Sequence, residues 1–229
     1  KTAEILNELL RKKDSEAYIV MARGAEGKGD RESAVRYYRA AYFAAPIKSN
    51  DPVTHLIVDP ASEAEMKLTS LAQPLTPSNA EEAKARADKL FAARNFVEAD
   101  KAYADLASNY ASALTPAVNL NRQIAAANAK KMQDAQTAFN AIPASAPEKE
   151  RAYYELTQGY AKNKLWLQAR QNAEEMRQKF PSSKLTPKTW ADAGYAARDA
   201  KNKGEENYFL QTALTAWPNA VEVAGAQFE

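Results

Sequence analysis

"GDRESAVRYYRAAYFAAP" spans Gly29–Pro46, and the spacing within it decides the fold. Ala34, Tyr38, Ala41 and Pro46 fall at steps of four, three and five. Steps of four and three keep side chains on one helical face, and proline ends the run. The same grammar recurs. Ala99, Tyr103, Leu106 and Ala111 form one further run, and Ala135, Phe139 and Ile142 another. Ala169, Ala173, Met176 and Pro181 follow, then Leu210, Ala213 and Pro218, with Glu206 at the first small position. Successive anchors lie 65, 36, 34 and 37 residues apart, so 65 covers about two periods.

A second apolar face precedes these runs. Tyr18, Met21, Ala22 and Ala25 stand at offsets of zero, three, four and seven. Tyr153, Leu156, Thr157 and Tyr160 repeat that spacing, as do Trp190, Ala193, Gly194 and Ala197. The unit is therefore helix, turn, helix, of about 34 residues. Small residues let two backbones approach, and an aromatic ring fills the gap to the next unit. No unit can cover its own apolar face, so neighbours must stack.

This text resembles the tetratricopeptide repeat over 14–46 and 78–218, with departures at Thr157, Glu206 and Ala111. The resemblance implies an all-α, right-handed superhelix, an α-solenoid of antiparallel helix pairs. We expect two regions. Residues 1–77 hold one repeat-like hairpin, an irregular Pro-rich connection and a short helix near Ala61–Gln73. Residues 78–229 hold about four stacked hairpins.

Helix punctuation agrees. Thr115-Pro116 and Thr186-Pro187 each offer a capping hydroxyl ahead of a proline at the first helical position. Ser78 with Glu81 fits a capping box. Between 46 and 77, five prolines interrupt the rhythm.

Composition removes several functions. Charge is nearly balanced, 31 Lys+Arg against 29 Asp+Glu, which argues against a nucleic-acid footprint. The basic run Arg11-Lys12-Lys13 suits a helix C-terminus. With no cysteine, thiolate catalysis, disulfides and zinc–thiolate sites are excluded. No stretch approaches the length of an apolar membrane span. His55 is the only histidine, and beside Asp51 and Asp59 it reads as a loop residue rather than a metal ligand. "GAEGKG" (Gly24–Gly29) lacks the strand and the Lys-Ser/Thr of a phosphate loop, so it reads as a turn between helices. Glu81-Glu82, Glu174-Glu175 and Glu205-Glu206 point about 100° apart on a helix and face water instead of each other. No metal, cofactor or catalytic residue is expected.

The candidate site is the groove lined by first helices. Repeat position aims Arg151, Tyr154, Gln158 and Lys162 into it from one unit, and Lys188, Tyr195 and Arg198 from another. Basic and aromatic groups in a groove suit an extended peptide or an anionic glycan strand. Lys84 and Asp88 occupy the positions where some tetratricopeptide proteins carry a Lys/Asn carboxylate clamp, and they do not match it.

The run Gly29–Pro46, its Pro-rich break and "SNAEEAKARADKLFAARNFVEADKAYADLASNY" together resemble the superhelical region of soluble lytic transglycosylases. That implies a periplasmic scaffold acting on peptidoglycan, inactive without a lysozyme-like domain beyond Glu229. The units are also similar to periplasmic repeat proteins of outer-membrane assembly, which implies a stand-alone adaptor for protein partners. On either reading the chain is a fragment of, or a module in, the cell envelope.

Overall fold

A computed structural model describes residues 2–45 and 59–223. His55, Asp51 and most of the 46–60 connection lie outside the described residues. Among the described residues there are twelve α-helices and no strand, and the chain divides into two compact units, 1–113 and 114–229. The fold is an all-α solenoid of tetratricopeptide type. The division at 113/114 differs from the one at 77/78 expected from the sequence.

The first unit contains α1 (Thr2–Arg11), α2 (Ser15–Gly27), α3 (Arg31–Ala44), α4 (Pro60–Ser70), α5 (Ala80–Ala92) and α6 (Phe96–Asn109). The second contains α7 (Pro116–Asn128), α8 (Met132–Asn140), α9 (Glu148–Lys162), α10 (Trp166–Lys179), α11 (Leu185–Asp199) and α12 (Lys203–Ala216). The hairpins are α2/α3, α5/α6, α7/α8, α9/α10 and α11/α12.

One turn geometry joins all five pairs. Its middle residue adopts a left-handed backbone: Gly29 (φ 71°), Arg94 (58°), Lys130 (64°), Lys164 (60°) and Lys201 (58°). The next residue's N–H then reaches back five residues to a helix carbonyl, as from Asn95 to Leu90 (3.0 Å), Leu165 to Tyr160 (2.9 Å) and Asn202 to Ala197 (2.9 Å). This is the Schellman closure, which satisfies carbonyls left over at a helix end. Glycine takes this conformation freely, and the four basic residues carry a steric cost in it. Of "GAEGKG", only Lys28 and Gly29 form this turn; Gly24–Gly27 belong to the last turn of α2, contrary to the reading of the whole stretch as a turn.

The repeat anchors are core. Ala34, Tyr38 and Ala41 are buried, as are Ala99, Tyr103 and Leu106, and Ala169, Ala173 and Met176. Trp190 is 1% exposed and packs on Phe209 and Trp217, with ring centroids 5.6 and 6.3 Å away. The small positions mark close approach. A Cβ on Gly194 would sit 2.5 Å from Leu210 Cδ2, and one on Gly159 would sit 2.9 Å from Ala127 Cβ. The two polar departures are accommodated. Thr157 donates to the Tyr153 carbonyl and accepts from Asn172. Glu206 pairs with Arg198 and Lys203, both at 2.9 Å.

Capping differs from expectation at two places. Thr115 caps α7 as expected, accepting from Val118 N–H. At α11 the helix begins two residues before Pro187, so Thr186 lies inside it and its hydroxyl donates to the Phe180 carbonyl (2.7 Å). Ser183 Oγ takes the Leu185 N–H instead (2.9 Å). At α5 the box is displaced by one residue. Asn79 is the cap, accepting from Glu82 N–H, while Glu82 reaches back to Ser78 N–H at 2.7 Å. Glu81 points away and pairs with Lys13 (2.8 Å).

In the first unit, α4 does the work of a missing first helix. Its Ala64 and Leu68 enter the cluster formed by Ala22, Ala25, Ala34 and Tyr38. Burying a leucine fully is worth about 1.5–3 kcal/mol. Arg23 with Glu63 (2.5 Å) and Lys67 with Glu26 (2.7 Å) fix α4 against α2. Helices α3 and α5 are then joined by charge. Arg39 meets Glu82 through two hydrogen bonds (Nε–Oε1 2.7 Å, Nη2–Oε2 2.6 Å) and donates to the carbonyls of Pro74 (2.5 Å) and Thr76 (2.7 Å). Both side chains are about nine-tenths buried.

Candidate functional site

Between α9 and α11, the first helices of two successive pairs, lies an open groove of about 570 Å³. Helix register creates it. Tyr153, Leu156 and Tyr160 turn into the core on one side of α9, which leaves Tyr154, Gln158 and Lys162 to face α11. On α11 the buried Trp190, Ala193 and Ala197 leave Asp192, Tyr195 and Asp199 toward the groove.

Of the seven residues expected, Tyr154, Gln158, Lys162 and Tyr195 line this groove. Arg151, Lys188 and Arg198 do not. Arg151 is largely exposed and lies 3.3 Å from Glu155. Lys188 pairs with Asp192 at 2.6 Å, with its ammonium 5.5 Å from the Tyr154 ring centre. Arg198 turns to Glu206 on α12 and covers the Tyr195 ring at 5.3 Å. Gln158 is a buried tie more than an open contact, donating to the Thr189 carbonyl of α11 at 3.3 Å.

The sequence reading missed the acids. Glu155, Asp192 and Asp199 line the groove together with Lys162 and Lys164. Asp192 accepts a hydrogen bond from the Tyr154 hydroxyl (2.7 Å) while it pairs with Lys188. Burial, with that hydrogen bond to Asp192, pushes the Tyr154 phenol well above its ordinary range, so it stays protonated. A signal for two of these acids was available. Glu155 follows Arg151 and Asp192 follows Lys188 by four residues, the spacing of helical ion pairs. The surface is consequently mixed in sign instead of basic.

The other sequence candidates are structural. Lys84 pairs with Asp88, which also accepts from the Tyr103 hydroxyl at 2.7 Å, so the pair braces α5 against α6. Each adjacent-glutamate pair is tied up in ion pairs: Glu81 and Glu82 as above, Glu174 with Arg177 (2.8 Å), Glu175 with Lys179 (3.7 Å), Glu205 with Arg170 (2.7 Å) and Glu206 with Arg198. Lys149 is buried. It donates to the Phe139 and Ile142 carbonyls (2.8 and 3.1 Å) and closes the end of α8, and burial lowers its pKa. Among the described residues, no group of three or more His, Asp or Glu side chains is arranged to hold a metal, and no helix is long and apolar enough to cross a membrane.

Fold and groove together define a helical-repeat protein with an open, mixed-charge, tyrosine-bearing surface on its first helices. No protein-family model matches the chain, and no curated protein matches it. Solved structures do. The crystal structure of PilW, described as a widely conserved type IV pilus biogenesis factor, matches with a TM-score of 0.52 at 15% identity, over 99% of this chain and 89% of that one. The structure of YrrB, described as a TPR protein with an unusual peptide-binding site, matches with a TM-score of 0.46 at 12% identity, over 96% of each chain. At such identities the likeness concerns the fold.

Proposed function

We propose that this chain is a non-catalytic binding scaffold that holds an extended protein segment along its first-helix face, in the groove between α9 and α11. The observation that carries this reading is the groove's make-up. Two tyrosines stand among fixed charges of both signs, on rigid helices. Aromatic rings supply contact area at low entropic cost, and alternating charges orient a peptide that carries both signs. Glu155, Asp192 and Asp199 disfavour an anionic glycan strand by like-charge repulsion. Placement in the cell envelope, as an assembly adaptor, belongs to the same proposal, as does the division of the array at 77/78. A fold likeness to a pilus biogenesis factor is consistent with it. The second reading, the scaffold of a lytic transglycosylase, rests on the resemblance of Gly29–Pro46 and the text after 77, and it places peptidoglycan in the groove.

One titration separates them. Peptides selected from a random library against the wild-type chain should bind Tyr195→Ala and Asp192→Lys at least about tenfold more weakly, with the folds intact by circular dichroism. Soluble peptidoglycan fragments should give no saturable signal. Saturable glycan binding that Tyr195→Ala abolishes would reverse the assignment, and peptide binding indifferent to both substitutions would remove the groove.

A further inference from the structure

The first unit holds a second hollow, of about 270 Å³, where α3 and α5 face each other beside the α1–α2 turn. Its floor is apolar: Ala40, Phe43 and Ala44 on α3, with Ala85 on α5. Small side chains on both facing helices leave space that larger ones would fill. The junction still holds without that filling, because the Arg39–Glu82 pair clamps the helices from beneath.

Repeat register sets this floor apart from the equivalent faces of α6 and α10. Counted from the first small anchor of each second helix, Ala40, Phe43 and Ala44 stand six, nine and ten residues after Ala34. The same steps give Asp105, Ser108 and Asn109 on α6, and Glu175, Gln178 and Lys179 on α10. Positions that are polar in those units are apolar in α3. The fold itself buries Phe43 (2% exposed), whereas Ala40 and Ala44 stay partly exposed, an apolar surface open to a ligand.

The rim carries an exposed positive charge at Arg36. Lys13 is paired with Glu81 (2.8 Å) and Glu82 with Arg39. Arg36 is exposed, lies 5.1 Å from the Tyr37 ring and donates to Ser33 Oγ at 3.5 Å. Asp30, at the cap of α3, feels its charge at longer range, and no ion pair closer than that ties Arg36 down among the described residues. An apolar pocket beside an exposed guanidinium is complementary to an apolar side chain with a carboxylate close by, since arginine grips carboxylates in a two-pronged fashion.

We propose that the α3–α5 hollow is a second binding site. It takes an acidic peptide segment of a partner protein, seating one bulky apolar side chain on Ala40, Ala44 and Ala85 and a neighbouring carboxylate on Arg36. This site is separate from the α9–α11 groove and does not depend on the reading given to that groove.

The probe is a short capped peptide with one phenylalanine flanked by two aspartates among serine and glycine, titrated into the full chain and followed by NMR shifts. Saturable shifts at Ala40, Ala44 and Ala85 are expected. Arg36→Glu, on the surface and harmless to packing, should weaken binding at least about tenfold. Ala44→Leu, which fills the hollow, should abolish it. Tyr195→Ala in the other groove should leave it unchanged, so failure here is distinguishable from failure there. A probe with asparagines for aspartates should bind as weakly as the Arg36→Glu variant. The proposal is overturned if the acidic probe gives no saturable shifts, or if binding ignores both Arg36→Glu and Ala44→Leu. It is equally overturned if the chain alone forms a concentration-dependent dimer that Ala44→Leu dissolves, since the occupant is then a second copy.

Discussion

Gly159 lies so close to α7 that a Cβ on it would come within 2.9 Å of Ala127 Cβ, whereas α3 meets α5 through an arginine and a glutamate joined by two short hydrogen bonds. Both contacts bring consecutive helix layers together. The first uses missing side-chain volume and apolar cover. The second uses a desolvated ion pair whose spare donors are taken by the Pro74 and Thr76 carbonyls. The difference follows from the chain between the layers. Where a short turn delivers the next helix in register, small and large side chains interlock. After the connection that follows α3 and the insertion of α4, that register is lost and polar groups specify the junction.

Substitutions can break this contrast on either side. The largest effect belongs to the second unit. Trp190→Ala should cost about 3–5 kcal/mol in urea unfolding, because the indole is buried among Phe209, Trp217 and Ala213. A loss under about 1 kcal/mol would remove that ring from the core. Next comes the clamp. Arg39→Met should cost about 3 kcal/mol, since it strands a buried carboxylate, and the double change Arg39→Met with Glu82→Leu should recover most of it. A double variant no more stable than the single one would show that the carbonyl contacts, and not the charge pairing, hold the junction.

Acid sharpens the same comparison. Burial tends to raise the Glu82 pKa, but Arg39 and the Ser78 N–H and hydroxyl outweigh it, and the net shift is downward from the ordinary 4.5. A carboxylate with a depressed folded pKa contributes stability that is fully present above its unfolded value and is lost as pH falls through the folded one. The wild-type advantage over Glu82→Gln should therefore be constant near neutrality and shrink below pH 4.5. An advantage that persists unchanged in strong acid would contradict the pairing. The smallest effect is a gain. Lys164→Gly relieves a left-handed backbone and should stabilise by up to about 1 kcal/mol, seen as a raised midpoint in thermal unfolding.

What the sequence made legible follows the same division. Tyr38, Tyr103, Leu106 and Trp190 were readable as core because repeat period and helix period coincide in them. The positive-φ turns at Arg94, Lys130, Lys164 and Lys201 carry no glycine, so they gave no signal of their own, although their spacing is that of the anchors. Arg39 sits in "RYYRAAY" as an ordinary surface arginine would, and its partner is 43 residues away, beyond any local pattern. Thr186-Pro187 misled because a hydroxyl before a proline suits a helix's first turn as well as its cap. In the groove, the tyrosines and lysines were found by repeat position. Glu155, Asp192 and Asp199 escaped notice because the groove was read for aromatic and basic side chains, and an acid at ion-pair spacing looks the same on a groove wall as on an open face.

Residue-resolved hydrogen exchange on Glu82→Gln near neutral pH tests the central claim most directly, namely that the α3–α5 junction is held by charge and those within the second unit by interlocking volume. Protection is expected to fall in α3 and α5 and to stay within error of the wild type in α9 and α11. Undiminished protection in α3 and α5, or an equal loss in both units, would contradict it.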